Sequence, residues 1–218
     1  MTWDLPATVA GFVQSPANLM LLHYAARLRR GEAPIRVLDI GCGAGRNAVP
    51  LARAGFRVNG TDLSWPMIQA AASRDAAGCL RLALAPMDAL PILDRSADLI
   101  IAHGIWNLAR SGAQFRRAVH EAARVAAPQA RLFVFTFSRQ TLPPDSHPVD
   151  GETFVFTRFS GEPQVFLTKE QLIDELRQAR FDPDPELPLR ELNLPPPGQV
   201  RLGGPPVIFE GGFRFSGA

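Results

Sequence analysis

The chain has 218 residues, 46% of them hydrophobic and 20% charged, with a formal net charge of +2. That composition suits one globular domain with a full core, and it gives no electrostatic reason to expect a nucleic-acid partner. Lys169 is the only lysine; it follows a helix-start signal, not a glycine loop, which sets aside a P-loop and a pyridoxal Schiff base. Two cysteines, Cys42 and Cys79, make no disulfide framework, and the four histidines lack paired ligand spacing, so no metal is expected. No run of about 18 apolar residues and no leader pattern is present, so the expectation is a cytoplasmic protein without a membrane partner, monomer or homodimer.

In chain order, residues 1–33 are predicted to form a helical cap. Ser15-Pro16-Ala17 reads as a helix start, Leu19 to Arg29 carries helical apolar spacing, and Gly31 reads as the stop. A first strand is expected at Ile35–Ile40, then a helix from Gly45 to Ala54 closed by Gly55. A second strand at Arg57–Thr61 leads to a helix capped by Ser64, with Pro66 in its first turn, running to about Ala77. Strands three, four and five are expected at Leu80–Ala85, Ala97–Ala102 and Arg131–Phe137. Ser111 and Gln114 form a capping-box pattern for the helix between the last two. Residues 138–167 then break the alternation. Two runs, Glu152–Phe159 and Gln164–Leu167, read as an inserted hairpin or lid. Thr168 and Gln171 start another helix. Leu187–Leu194 and Pro206–Ser216 read as the last two strands, joined by a stiff connection through Pro195-Pro196-Pro197-Gly198. No second domain or repeat is visible. Strongly apolar strands alternating with helices predict an α/β fold with a parallel sheet covered on both faces.

The chemistry concentrates in Val37-Leu38-Asp39-Ile40-Gly41-Cys42-Gly43-Ala44-Gly45-Arg46-Asn47. An apolar strand ends at an acid, and three glycines follow at spacing two. Bare backbone lets a ligand approach closely. The second strand ends at Asp62, 17 residues after Gly45, where a carboxylate can accept two ribose hydroxyls. A dinucleotide site would want G-x-G-x-x-G; here the third glycine comes one residue early, and Arg46 stands where close packing wants a small residue.

The span Leu38 to Ser64, with its D-x-G-x-G-x-G bend and Gly60-Thr61-Asp62-Leu63-Ser64, resembles motif I of the class I S-adenosylmethionine-dependent methyltransferases. Gly-Arg-Asn gives it some likeness to the tellurite and thiol members. The resemblance implies a Rossmann-like, seven-stranded, mostly parallel sheet in the order 3-2-1-4-5-7-6, strand seven antiparallel. It also implies an N-terminal helix over the cleft, S-adenosylmethionine as cofactor and a small-molecule methyl acceptor. Ligands of open α/β sheets bind beyond the carboxyl ends of the strands. This rule and the resemblance give Asp39, Gly41, Cys42, Gly43, Gly45 and Asn47 at the bend as cofactor-binding candidates. Asp62 and Leu63 follow the second strand, and Asp88 and Ala89 the third, where the family holds adenine. Cys42 also reads as a small packing residue. His103, after strand four, is the candidate general base and a cofactor neighbour. Trp106, His147 and Arg158 are substrate candidates, each with packing or solvation as the rival explanation. Two other functions stay open on the residues alone: a non-catalytic cofactor-binding module and an NAD-dependent oxidoreductase. No Asn/Asp-Pro-Pro-Tyr run follows strand four, which argues against amino-methylation of DNA adenine; an RNA methyltransferase would need a basic patch.

Overall fold

The computed structural model describes residues 2–29, 33–75, 77–196 and 204–217. Its central sheet begins with β1 (Arg36–Ile40), β2 (Arg57–Asp62), β3 (Leu80–Leu84), β4 (Ala97–His103) and β5 (Ala126–Phe137), all parallel. Adding β8 (Phe181–Pro183), β9 (Arg190–Leu192) and β10 (Ile208–Phe215) gives the order β3-β2-β1-β4-β5-β10-β8, with β9 also on β10. β10 lies antiparallel to β5. This is the predicted order, with β10 as strand seven.

The sixth strand departs from expectation. In place of one strand at Leu187–Leu194, β8 and β9 share the outer edge of β10. The chain between them bulges over Gly211 and Gly212. A Cβ on Gly211 would come within 2.7 Å of the Leu189 backbone. Asp184 donates its N–H to the Gly212 carbonyl, and Gly212 donates to that of Leu187. Two bare residues thus let the edge fold over the strand.

Alternation sends successive strand residues to opposite faces. One face carries Leu38, Ile40, Ile100, Leu132 and Val134 under α5 (Gly112–Val125) and α6 (Lys169–Gln178). The other carries Val37, Leu99, Ile101 and Phe133. Over it lie α2 (Leu19–Arg27), α3 (Ala48–Arg53) and α4 (Trp65–Arg74). α1 (Pro6–Gln14) buries no residue of its own.

The caps show why the helices start where they do. Ser64 accepts the Met67 N–H, with Pro66 in the first turn as expected. Thr168 and Gln171 complete a capping box. Ser111 accepts the Gln114 N–H, but the Gln114 side chain bonds the Arg110 N–H instead of Ser111, so only half of that predicted box forms. α2 is capped by Asn18, which accepts the Leu21 N–H; Ser15 closes α1 by donating to the Gly11 carbonyl. α2 ends at Arg27, so the predicted stop at Gly31 falls outside the described residues, as do Pro197 and Gly198 of the proline connection. α3 is shorter than predicted, because 43–47 turn before the helix begins. β5 starts at Ala126, five residues earlier than expected, through a register shift opposite β4.

Segment 138–167 does hold a hairpin, β6 (Val155–Phe156) against β7 (Gln164–Val165). Phe154 packs edge-on against Phe115 of α5, and Phe156 and Phe166 join Leu142 and Phe137. Among the described residues no helix is long and apolar enough to cross a membrane.

Candidate active site

The carboxyl ends of β1, β2 and β4 meet at a cleft of about 220 Å³. Gly41 and Gly43, at φ +68° and +53°, make the bend leaving β1. A Cβ on Gly41 would overlap Ile105 at 2.7 Å; one on Gly43 would stand 3.5 Å from the Phe12 ring, inside the cleft. Gly45 serves packing instead: a Cβ there would meet Val49 at 2.8 Å and Ala71 at 3.2 Å, between α3 and α4.

Asp62 ends β2 facing the bend. Its carboxylate accepts the Gly43 N–H and the Ser64 N–H, both at 2.8 Å. Burial pushes its pKa above the usual carboxylate range, and those N–H bonds counter the push. The Leu63 N–H also acts on the carboxylate, and the group lines the cleft with acceptor capacity left over. Leu63, 59% exposed, stands beside it on the rim.

His103 ends β4 on the opposite wall, stacked on Phe135 at 4.0 Å. Its Nδ1 lies 2.9 Å from Arg46 and its Nε2 3.2 Å from the Asn18 amide nitrogen. Asn18 also donates to Glu210 at 2.8 Å, and Arg190 pairs with Glu210 at 3.3 Å. Register explains the grouping, since His103, Phe135, Glu210 and Arg190 form one row across four strands. Burial, helped by the Arg46 charge, lowers the His103 pKa to about 3, so the ring is neutral at ordinary pH.

Asp39, Cys42 and Asn47 lie behind the bend. Asp39 is 2% exposed, with one carboxylate oxygen lacking any partner. Burial raises its pKa to about 7; Arg46 opposes the shift and Asp62 adds to it. Cys42 packs against Gly60, where an added Cβ would sit 2.9 Å from its sulfur, and burial raises its thiol pKa. The Asn47 side-chain oxygen Oδ1 accepts the Asn18 backbone N–H at 3.0 Å and so ties α2 to the bend.

Five predicted residues lie elsewhere. Asp88 is drawn to Arg117 of α5 at 3.0 Å, and the Ala89 N–H goes to the Pro86 carbonyl; Pro86 and Met87 line the cleft in their place. Trp106 is fully buried, edge-on to Phe115, because the turn at 106–108 rolls its ring into the core. His147 and Arg158 are exposed, and no residue of 138–167 lines the cleft. The cover comes from the N-terminal segment: Trp3 and Phe12 line the opening, and Ser64 donates to Asp4 at 2.6 Å. Sequence reasoning missed these two aromatics, along with Asn18, Met67, Arg110 and Gln114; Ile105 and Leu108 belong to the segment after strand four that is expected to line the cleft. The resemblance implies an N-terminal helix over the cleft, and the aromatic pair nine residues apart before the first strand is the signal for which side chains form the cover. A larger hollow of about 910 Å³ opens at the amino ends of the strands. It lies where residues 85–96 join β3 to β4 without a helix, and it holds neither the bend nor the acid. The smaller cleft is therefore the better site.

A doubly covered sheet in this order, with a glycine bend facing an acid on the next strand, defines the class I methyltransferase architecture. The comparisons agree. Residues 37–129 match the family model of a methyltransferase domain. A demethylmenaquinone methyltransferase of Corynebacterium glutamicum is 31% identical over 142 residues, covering 65% of this chain and 57% of that one. A ubiquinone biosynthesis O-methyltransferase of Caulobacter is 32% identical over 149 residues, covering 63% and 58%. The chain thus spans somewhat over half the length of these relatives. A solved S-adenosylmethionine-dependent methyltransferase of Methanosarcina mazei superposes with TM-score 0.67 at 20% identity, covering 92% of this chain and 99% of that one. The 1,6-didemethyltoxoflavin-N1-methyltransferase of Burkholderia thailandensis, solved with its substrate and S-adenosylhomocysteine, gives 0.66 at 18%, covering 99% and 81%. Residues 37–129 thus match a methyltransferase domain, and the fold is that of solved S-adenosylmethionine-dependent methyltransferases.

Proposed function

We propose that this cleft binds S-adenosylmethionine and that the chain transfers its methyl group to a small, largely apolar acceptor, in the cytoplasm, as a monomer or homodimer. The carrying observation is Asp62, fixed by the Gly43 N–H and presented to a cleft that Gly43, at φ +53°, borders with bare backbone. That geometry fits an adenosyl group, with the carboxylate on the ribose hydroxyls and Leu63, Met87 and Ile105 offering apolar surface to the base. Bound there, the cofactor supplies a methyl on a sulfonium, whose departure leaves a neutral thioether.

The chain's own contribution is alignment and exclusion of water. Trp3 and Phe12 close the opening. Neutral His103, with its ring nitrogens engaged, is a poor proton acceptor. We therefore assign it to positioning rather than to base catalysis. The acceptors this suits carry an atom already ionised or nucleophilic without early proton loss. Relatives named for demethylmenaquinone and ubiquinone biosynthesis support an apolar acceptor. The test is incubation with methyl-tritiated S-adenosylmethionine and a panel of quinols, phenols and thiols. Label in at least one small product is expected. Cofactor binding with no transfer across the panel would leave the non-catalytic module as the function.

A further inference from the structure

The rim of the cleft is apolar on its outer side as well as its inner one. Trp65 is 57% exposed, Leu63, Leu84 and Leu5 are each at least 54% exposed, and Trp3 is 37% exposed. Local geometry gathers them. Leu84 ends β3 in register with Asp62, and Leu63 follows Asp62 in the chain. Trp65 opens α4 one residue after Ser64, whose hydroxyl donates to Asp4 and so holds Trp3 and Leu5 at the same edge. Exposed leucines scattered singly are ordinary, but a group gathered around an opening marks an interaction surface.

The segment above the rim lacks what a solvated surface helix carries. From Leu5 to Leu22 there is no Asp, Glu, Lys or Arg, although charged residues make up 20% of the chain. α1 lies inside that run and buries no residue of its own; its Phe12 ring stands edge-on to Trp3. A helix with neither a charged face nor a buried one is missing its partner.

Area and composition choose that partner. Two tryptophans and three leucines, each about half exposed, offer roughly 500 Å² of apolar surface. That falls short of the about 800 Å² per partner that a stable protein pair buries. Tryptophans beside leucines are the side chains that settle between lipid headgroups and acyl chains. We propose that the N-terminal segment and the β2–α4 turn rest on a lipid bilayer, with the cleft mouth turned toward the acyl chains. Among the described residues no helix is long and apolar enough to cross a membrane, so the contact is peripheral. Apolar area drives it and charge does not, since all five side chains are neutral. An apolar acceptor then passes from lipid to cleft without crossing water.

The experiment mixes the chain, without cofactor, with phosphatidylcholine vesicles and follows cosedimentation and tryptophan emission. The chain has three tryptophans, and Trp106 is fully buried, so a change in emission reports Trp3 and Trp65. Expected are binding to these neutral vesicles that persists at about 0.5 M salt, a blue-shifted emission, and quenching by brominated acyl chains. Trp65→Gln with Leu84→Gln alters two residues outside the cleft lining. It should weaken vesicle binding about thirtyfold, as for two half-exposed apolar side chains, and leave the melting temperature unchanged. Leu93→Gln, at the opposite end of the sheet, removes a leucine 81% exposed and should change nothing. No binding to neutral vesicles, binding that needs anionic lipid and vanishes in salt, or equal binding by the double variant overturns the assignment. So does a chain that dimerises without vesicles through Trp65 and Leu84, which makes a second copy the occupant. None of these outcomes touches the cofactor reading, which titration with S-adenosylhomocysteine tests separately.

Discussion

Asp39→Asn should stabilise the protein at neutral pH, although it deletes an acid from the sequence's most distinctive motif. The folded protein holds this carboxylate at a pKa of about 7, chiefly through burial, against an ordinary value of 3.8. A carboxylate raised on folding costs nothing below its unfolded pKa, where both states are protonated. The cost grows as pH rises and levels off above the folded pKa. About three units at roughly 1.4 kcal/mol each give about 4 kcal/mol. Asparagine keeps the shape and removes the charge. Urea unfolding at about pH 8 should show the variant more stable by a figure of that order, and at about pH 4.5 by only about 1 kcal/mol. A gain independent of pH, or a loss at about pH 8, would show that Asp39 is not a buried, poorly paired acid, and the reasoning behind the bend would be wrong.

Trp106→Leu should cost about 2–4 kcal/mol of stability, since the ring is fully buried; S-adenosylhomocysteine affinity should not change, and a selective loss of affinity would return Trp106 to the cleft. Trp3→Ala with Phe12→Ala should do the reverse. α1 buries nothing, so the melting temperature should hold, while ligand dissociation in a stopped-flow chase should speed up about tenfold, as expected for losing roughly 1–2 kcal/mol of apolar cover. Tyr24→Phe removes a 2.7 Å bond to fully buried Asp184 and should cost about 1–3 kcal/mol in denaturant unfolding. A neutral result there would mean that Arg131 and Arg214 already satisfy that carboxylate.

Local signals fixed much of this protein in advance. The bend was legible because its spacing is a backbone requirement: Gly41, Gly43 and Gly45 all take positive φ, and a Cβ on Gly41 would overlap Ile105. Asp62 was legible because strand, bend and acid share one βαβ unit. The five parallel strands followed from apolar runs and caps. What failed depended on distant partners. Asp88 looked free until α5 brought Arg117 to it, and Trp106 looked like a cleft wall until a short turn rolled it onto Phe115. The split sixth strand turns on two glycines more than twenty residues further along the chain. The His103–Asn18–Glu210 group joins three elements whose adjacency only the sheet order reveals. The inserted hairpin was found, but its aromatic residues could not say which surface they would cover.

The most direct measurement is calorimetric titration of the chain and of Asp62→Ala with S-adenosylhomocysteine. Saturable binding by the chain at low micromolar ligand, weakened about thirtyfold or more in the variant, is the predicted result, given roughly 2 kcal/mol or more for a charged acceptor serving two hydroxyls. No binding by the chain, or equal binding by both proteins, would contradict an adenosyl site pinned by that carboxylate.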